Sequence, residues 1–504
     1  MLKERAEIPG RSEDPVYRRI AQSIRARIEG GELVAGDRLD PIRVLASELG
    51  VNRDTVSLAY DQLRSEGLVE GAVGRGTFVR AAVRSEPMPA PARLRLAEPI
   101  DELLRFEGTR PRFAGGKGLV ALHALIPDPS LYPAQAFRRA LHKVLGEGGA
   151  DLLLYGGAKG HPGLRDVLAS RLRAEGLGVS PDEIVLCHGA SQGISLALRL
   201  FAERGDAVAV EVPTYGNVLA SLVATGVRPE GVMMRPDGSG GLAPDLDAVD
   251  RALARPDVKA FYTIPTFHNP LGTTTRIEHR RSLLAIAERH GKPVIEDAFE
   301  MDLRYEGRAV PSLAALDDAG LVVQLCSFSK SLFPGARAGA IIARGRTIEA
   351  LVALKHATDL SDSMPLQAAL AELVSSGVYD RHLTKLRRVL RERRDAMLDA
   401  LARHMPDGTT WTRPEGGYQI WVELPDEPFE IDTRDLLADA ARAGVTYHPG
   451  ASFLPDRGAS RGLRVTVAQA DVDQIERGVE ALGRVVRERF AQDPAARQAA
   501  DVQL

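Results

Sequence analysis

Apolar positions recur along this chain with two different periods, and the change of period divides it. Between residues 14 and 80 the spacing is helical: Val16, Ile20, Ile24 and Ile28 share one face, and Gly30 and Gly31 stop the run. Pro41 opens a second helix carrying Leu45, Ala46 and Leu49, which Gly50 ends. After the turn Val51-Asn52, either Asn52 or Asp54 caps a third helix holding Val56, Tyr60 and Leu63. Leu68-Val69-Glu70 and Thr77-Phe78-Val79 flank a glycine-bounded turn and predict a hairpin.

Residues 81–117 lose this pattern. Pro87, Pro89, Pro91, Pro99 and Pro111 are scattered among arginines and alanines, which predicts a linker with at most one short helix near 100–106. From 118 to 489 short apolar runs at 184–187, 207–211, 258–264, 293–297 and 321–326 alternate with helical patterns such as 191–204 and 276–290. That alternation predicts an α/β body built on a large parallel or mixed sheet wrapped by helices. A long helical stretch near 364–403 follows. Strands at 418–424 and 462–468, with helices near 433–443 and 471–489, then predict a smaller α+β domain. The polar, alanine-rich end, 490–504, is expected to fray.

Composition narrows the class. The 504 residues are 44% hydrophobic and 26% charged, as in globular proteins, and a net charge of -3 gives no global case for nucleic acid or membrane. Cys187 and Cys326 both lie beside apolar runs and read as reduced core residues, so a cytoplasmic protein is expected. Met1 to Arg11 is polar, unlike a signal peptide, and no uncharged run approaches the length of a membrane span. No metal-ligand spacing stands out.

The chemistry concentrates behind the strand Leu321–Leu325. Ser327-Phe328-Ser329-Lys330 delivers one lysine among hydroxyls to the sheet edge, and Arg337 follows seven residues later. A lysine can form a Schiff base with an aldehyde, which is how enzymes hold pyridoxal phosphate, and the serines and arginine are what its phosphate needs. Asp297 ends another strand, where a carboxylate suits a pyridine nitrogen or caps a helix; Glu296 is the weaker holder of that role. Thr263 to Gly272 is a strand and a turn whose two prolines aim the Asn269 amide. Tyr215 follows a further strand, placed to stack on a flat ring. Gly189-Ala190-Ser191 opens a helix whose free N–H groups suit a phosphate. All stand at the carboxyl ends of strands, where open α/β sheets bind ligands.

With these motifs, residues 118–489 resemble a fold-type I pyridoxal-phosphate protein of the class I aminotransferase group. The resemblance implies Lys330 as the Schiff-base lysine, Asp297 as the pyridine-nitrogen partner, Asn269 as a ligand of the phenolic oxygen and Tyr215 as the stacking ring. It implies Ser327, Arg337, Ala190 and Ser191 as phosphate ligands. Tyr155, in Leu154-Tyr155-Gly156-Gly157, matches a tyrosine that reaches the phosphate across a homodimer interface, and Arg464 an arginine that grips a substrate or effector carboxylate. One position departs: where the group has a tyrosine whose hydroxyl donates to the phenolic oxygen, this chain has Phe299. Cofactor binding survives that loss; efficient transamination is put in doubt.

The three helices and hairpin make a winged helix-turn-helix and resemble the GntR type. Leu39-Asp40-Pro41-Ile42-Arg43 stands at the family's entry to the second helix, and Gly74-Arg75-Gly76-Thr77 at its wing. The resemblance implies that Arg43, Asn52, Arg53, Thr55 and Arg75 contact double-stranded DNA. Residues 1–80 hold 13 Lys/Arg and 13 Asp/Glu, so charge alone does not predict binding. The basic helix around 381–394 has an apolar stripe and is expected to be a solvated connector. Head, linker and body in this order resemble the MocR-type regulators. What that implies is a homodimeric, pyridoxal-phosphate-binding transcriptional regulator that senses an amine or amino-acid effector. An active aminotransferase with an accessory head is the alternative, and a sensor of the cofactor's own supply is a third reading.

Overall fold

The computed structural model describes residues 15–72, 76–80, 95–111, 113, 118–238, 241–427 and 430–491. The chain forms two compact units, Met1–Arg95 and Leu96–Leu504.

The first unit contains α1 (Val16–Glu29), α2 (Ile42–Leu49), α3 (Arg53–Ser65), β1 (Val69–Ala72) and β2 (Gly76–Val79). The helical period has its expected outcome: Ile20, Ile24, Leu45, Val56, Tyr60 and Leu63 pack into one core. Gly50 ends α2 with φ 65, a left-handed conformation that costs glycine little. Of the two candidate caps, Asn52 holds the position, its side chain accepting from the Asp54 amide at 3.2 Å. Tyr60 donates to the Asp40 carbonyl at 2.7 Å and ties α3 to the approach of α2. The hairpin is antiparallel, with Val69 opposite Val79.

The second unit begins at Leu96, upstream of the boundary at 118 expected from the sequence. A helix does lie in that stretch, α4 (Glu98–Gly108), with Arg204 paired to Glu98 and Arg457 stacked on Phe106. Its apolar residues therefore belong to the body. The short strand β3 (Val120–Ala121) follows.

Eight strands make the main sheet: β4 (Ile184–Cys187), β5 (Ala207–Val212), β6 (Arg228–Pro236), β7 (Leu242–Pro244), β8 (Val258–Thr263), β9 (Val294–Asp297), β10 (Val322–Ser327) and β11 (Gly339–Ile342). Their spatial order is β4-β11-β10-β9-β8-β5-β6-β7. The run β10-β9-β8-β5-β6 is parallel, and β11 is antiparallel to both its neighbours. All residues of β4, β5, β9 and β11 are buried, as strands covered on both faces should be. The parallel direction brings the segments after β5, β8, β9 and β10 to one edge.

The smaller domain is a four-stranded sheet, β12 (Thr410–Trp411), β13 (Gln419–Glu423), β15 (His448–Pro449) and β16 (Gly462–Thr466), while β14 (Val445–Thr446) pairs with β3. The long helical stretch is two helices, Met364–Ser375 and Val378–His404, separated at Gly377 with φ 70. The second is not merely a solvated connector. Arg393 and Arg394 are buried, Arg393 donating to the Ala468 carbonyl and Asp128, and Arg394 to the Pro414 carbonyl and Glu306. An apolar stripe can carry such ties because guanidinium satisfies carbonyls and carboxylates together.

Candidate cofactor site and nucleic-acid interface

Asp297 closes β9 and is 1% exposed. Its Oδ2 accepts from the Tyr262 hydroxyl at 2.7 Å, whereas Oδ1 is buried with no hydrogen-bond partner in the protein. Burial pushes its pKa up to about 7, against the Tyr262 hydrogen bond. A buried acceptor left open is costly unless a donor completes it, and a protonated ring nitrogen is such a donor.

Lys330 follows β10. Its Nζ donates to the Leu125 carbonyl, and burial lowers its pKa, opposed by the nearby Glu300 carboxylate. A lysine desolvated in this way spends more time as the free amine that attacks an aldehyde. Ser327 accepts from the Ser329 amide at 3.2 Å, and Arg337 donates to the His188 carbonyl at 2.8 Å. Arg337 stands beside Gly189, where an added Cβ would meet its guanidinium at 3.5 Å. Gly189, with φ 80, turns the chain into the helix Ala190–Phe201, so Ala190 and Ser191 present first-turn N–H groups beside Arg337. These are groups of the kinds that could hold a dianion.

Asn269 is buried, and its Oδ1 accepts from Arg464 Nη1 at 3.0 Å. Arg464 also donates to the His123 carbonyl at 2.9 Å, leaving Nε buried without a partner. Burial lowers its pKa to about 10. Tyr215 accepts from Asn217 at 2.7 Å and shares a cavity of about 170 Å³ with Lys330 and Arg464. Phe299, 8% exposed, packs in the same apolar cluster as Tyr262 and Tyr215. Lys330, Asp297, Asn269, Tyr215 and Arg464 are thus gathered around one site, with the Ser327–Arg337–Ala190–Ser191 group beside it. The donor set fits pyridoxal phosphate: an amine, an open acid, groups suited to an anion and an aromatic face.

Tyr155 stands apart from this cluster. It is 84% exposed, next to Leu153 at 71% and Leu154 at 67%.

Several residues escaped the sequence reading. Glu300 is 1% exposed. Burial raises its pKa, opposed first by the Lys330 cation and then by the neighbouring Gln419 amide, the Tyr418 backbone N–H and the Arg464 cation. Its place three residues after Asp297 was the available signal. Tyr262, inside β8, gave none. Arg110 and Arg457 also line the cavity with Lys330, although they lie far apart in sequence. Among the described residues one cluster has metal-ligand types, His188, Asp359 and Asp362, but the Lys355 ammonium already occupies it, 2.7 Å from Asp359 and 3.0 Å from Asp362.

In the head, Arg43, Asn52 and Arg53 are exposed and Thr55 is half-buried. Arg43 and Arg53 border one concavity together with Arg38, a third cation that the motif reading missed. Arg75 lies outside the described residues.

The comparisons with known proteins divide the chain at the same place. Residues 128–482 match the family described as aminotransferase class I and II, and residues 16–79 match the bacterial regulatory proteins of the gntR family. The aromatic-amino-acid aminotransferase 1 of Thermococcus litoralis is 34% identical over 78% of this chain and 92% of its own. The probable rhizopine catabolism regulatory protein MocR of Rhizobium meliloti is 30% identical over 93% of each chain. Among solved structures, kynurenine aminotransferase of Pyrococcus horikoshii in complex with PMP has a TM-score of 0.70 at 31% identity, covering 79% of this chain and 96% of its own. The α-aminoadipate aminotransferase LysN of Thermus thermophilus, complexed with N-(5'-phosphopyridoxyl)-L-leucine, has a TM-score of 0.68 at 32% identity, covering 78% and 96%. A GntR-type head joined to a class I and II aminotransferase body, with full-length relatives built the same way, places this chain in the MocR-type regulator family.

Proposed function

We propose that the protein is a pyridoxal-phosphate-dependent, DNA-binding transcriptional regulator whose body senses an amine or amino acid. The observation that carries this reading is the pairing, in one chain, of a GntR-type head with exposed arginines and a body whose Lys330 and open Asp297 Oδ1 suit the cofactor. When bound, pyridoxal phosphate supplies an aldehyde that captures amines and a ring that draws electrons from them. Lys330 is the residue that would hold the cofactor's aldehyde and could be displaced from it by an amine. Asp297 would keep a proton at the ring nitrogen, Asn269 would donate to the phenolic oxygen, and Tyr215 would lie against the ring. Ser327, Arg337 and the first-turn amides of Ala190 and Ser191 would hold the phosphate. Arg464 receives a carboxylate, by which an amino acid is told from a simple amine.

In the head, Arg43, Asn52, Arg53 and Thr55 address DNA through α2 and α3, and Arg75 does so from the wing. The exposed Leu153-Leu154-Tyr155 segment supports a homodimer in which Tyr155 serves the partner's phosphate cradle, since such apolar exposure marks an interface. Among the described residues no helix is long and apolar enough to cross a membrane.

A working aminotransferase is the second reading, favoured by the completeness of the Lys330, Asp297, Asn269 and Arg464 set. Phe299 weighs against it, because it cannot donate where the group's tyrosine does. Footprinting of full-length protein on the DNA upstream of its own and neighbouring genes tests the regulator. Protection that depends on Arg53 supports it; no protection beside measurable amino-group transfer favours the enzyme.

A further inference from the structure

A second cavity, of about 640 Å³, shares no lining residue with the one that contains Lys330. Its size suits a small molecule. Successive strand residues point to opposite faces, so Glu296 is turned away from the site that Asp297 faces. Glu296 lines this second cavity and accepts from the Leu313 and Ala314 amides at 2.8 and 2.9 Å, so it is not free for a ligand. The other walls come from the end of the helix Pro162–Ala174, the stretch 301–312 and the helix Val378–His404.

Two opposite charges on these walls are left uncompensated. Among the described residues the Glu175 carboxylate accepts no hydrogen bond and pairs with no cation. It is open to the cavity, yet desolvation by the walls, and then the Asp302 carboxylate, push its pKa up to about 7, against the Arg171 and Arg387 cations. A carboxylate held in this state is stabilised in its charged form when a cation reaches it. Arg387 donates from Nε to the Asp302 carbonyl at 2.7 Å, and among the described residues it pairs with no carboxylate. Its charge reaches Glu175 without the two side chains meeting, so a gap lies between them. On the same lining, Arg304 Nη2 and the Tyr305 hydroxyl are buried without a hydrogen-bond partner, although Arg304 Nη1 is paired with Glu415 at 2.5 Å.

An ion of one sign placed here would leave the opposite charge bare, whereas one molecule carrying both signs satisfies both. We propose that this cavity is a second, non-covalent ligand site that takes a small zwitterion, its N–H cation on Glu175 and its carboxylate on Arg387. The open donors of Arg304 and Tyr305 then serve the ligand's remaining acceptors. Lys330 and the cofactor take no part, so binding here needs neither a free aldehyde nor amine exchange.

The test uses full-length protein loaded with pyridoxal phosphate and reduced with borohydride, so that nothing exchanges at Lys330. Neutral L-amino acids are the probes, titrated one at a time and followed by calorimetry. At least one should bind, once per chain. Glu175→Gln, which keeps the side chain's shape at an open position, and Arg387→Gln should each weaken that binding by about tenfold, the loss of one charge-assisted hydrogen bond. The matching amine without a carboxylate, and the matching acid without an amino group, should each bind about tenfold more weakly than the amino acid. Heat from none of the probes, binding that survives either substitution, or an amine or acid that binds as tightly as the amino acid overturns the inference.

Discussion

Tyr262 and Asp297 meet at 2.7 Å between adjacent strands of the main sheet, the tyrosine hydroxyl donating to Oδ2 and leaving Oδ1 open. The bond fixes the carboxylate's orientation from inside the sheet, so the free oxygen is presented without any loop having to move. A carboxylate prepared in this way costs stability until a donor reaches it.

That cost depends on pH. Asp297 titrates at about 7 in the folded protein, against about 4 for an ordinary aspartate. The folded protein therefore holds this proton more tightly than the unfolded chain does. The resulting stability is fully present below about pH 4 and is lost as pH rises through about 7. Cofactor-free wild-type protein should lose thermal stability between about pH 5 and 7.5 relative to Asp297→Asn, as melting curves of the two would record. Parallel curves across that range would mean that the carboxyl is not desolvated as described.

Lys330→Ala should abolish covalent retention of pyridoxal phosphate. After borohydride reduction, wild-type protein should carry the cofactor on the peptide containing Lys330, and the variant should carry none. A labelled peptide from the variant would move the attachment site elsewhere.

How much of this was legible in sequence depends on the range of each interaction. The strands ending at Asp297 and Ser327 were readable because short apolar runs, Val294-Ile295 and Leu321-Val322-Val323, lead into them, and Lys330 because it closely follows the second. The α3 cap was narrowed to two residues and needed geometry to settle on Asn52. Arg393 and Arg394 read as surface charge because their partners, Asp128 and the Pro414 and Ala468 carbonyls, come from distant segments. α4 read as linker for a similar reason: its neighbours, Arg204 and Arg457, are far away along the chain. Glu300 was hidden differently: its place three residues after Asp297 pointed toward the site, but nothing in the sequence marks it as buried.

Phe299→Tyr restores a donor near the expected phenolic oxygen and should move the pH midpoint of the bound cofactor's absorbance downward. One added hydrogen bond is worth about 0.5–1.5 kcal/mol, so the shift should be about one unit or less. Wild-type protein should transfer amino groups more slowly than about 1 per second. Ordinary turnover across a panel of amino donors would favour the enzyme reading.

Arg53→Ala should weaken operator binding by about tenfold, given about 1–3 kcal/mol for a base-reading arginine. Binding to random DNA should fall less. Equal losses on both would make Arg53 a phosphate contact.

The central claim is that chemistry at Lys330 changes what the head does on DNA. Full-length protein loaded with cofactor should be titrated onto fluorescently labelled upstream DNA, with and without saturating amino acid, and anisotropy recorded. The account predicts that the amino acid changes DNA affinity in wild-type protein and has no effect in Lys330→Ala. Identical affinity with and without amino acids that demonstrably alter the bound cofactor's absorbance would contradict it.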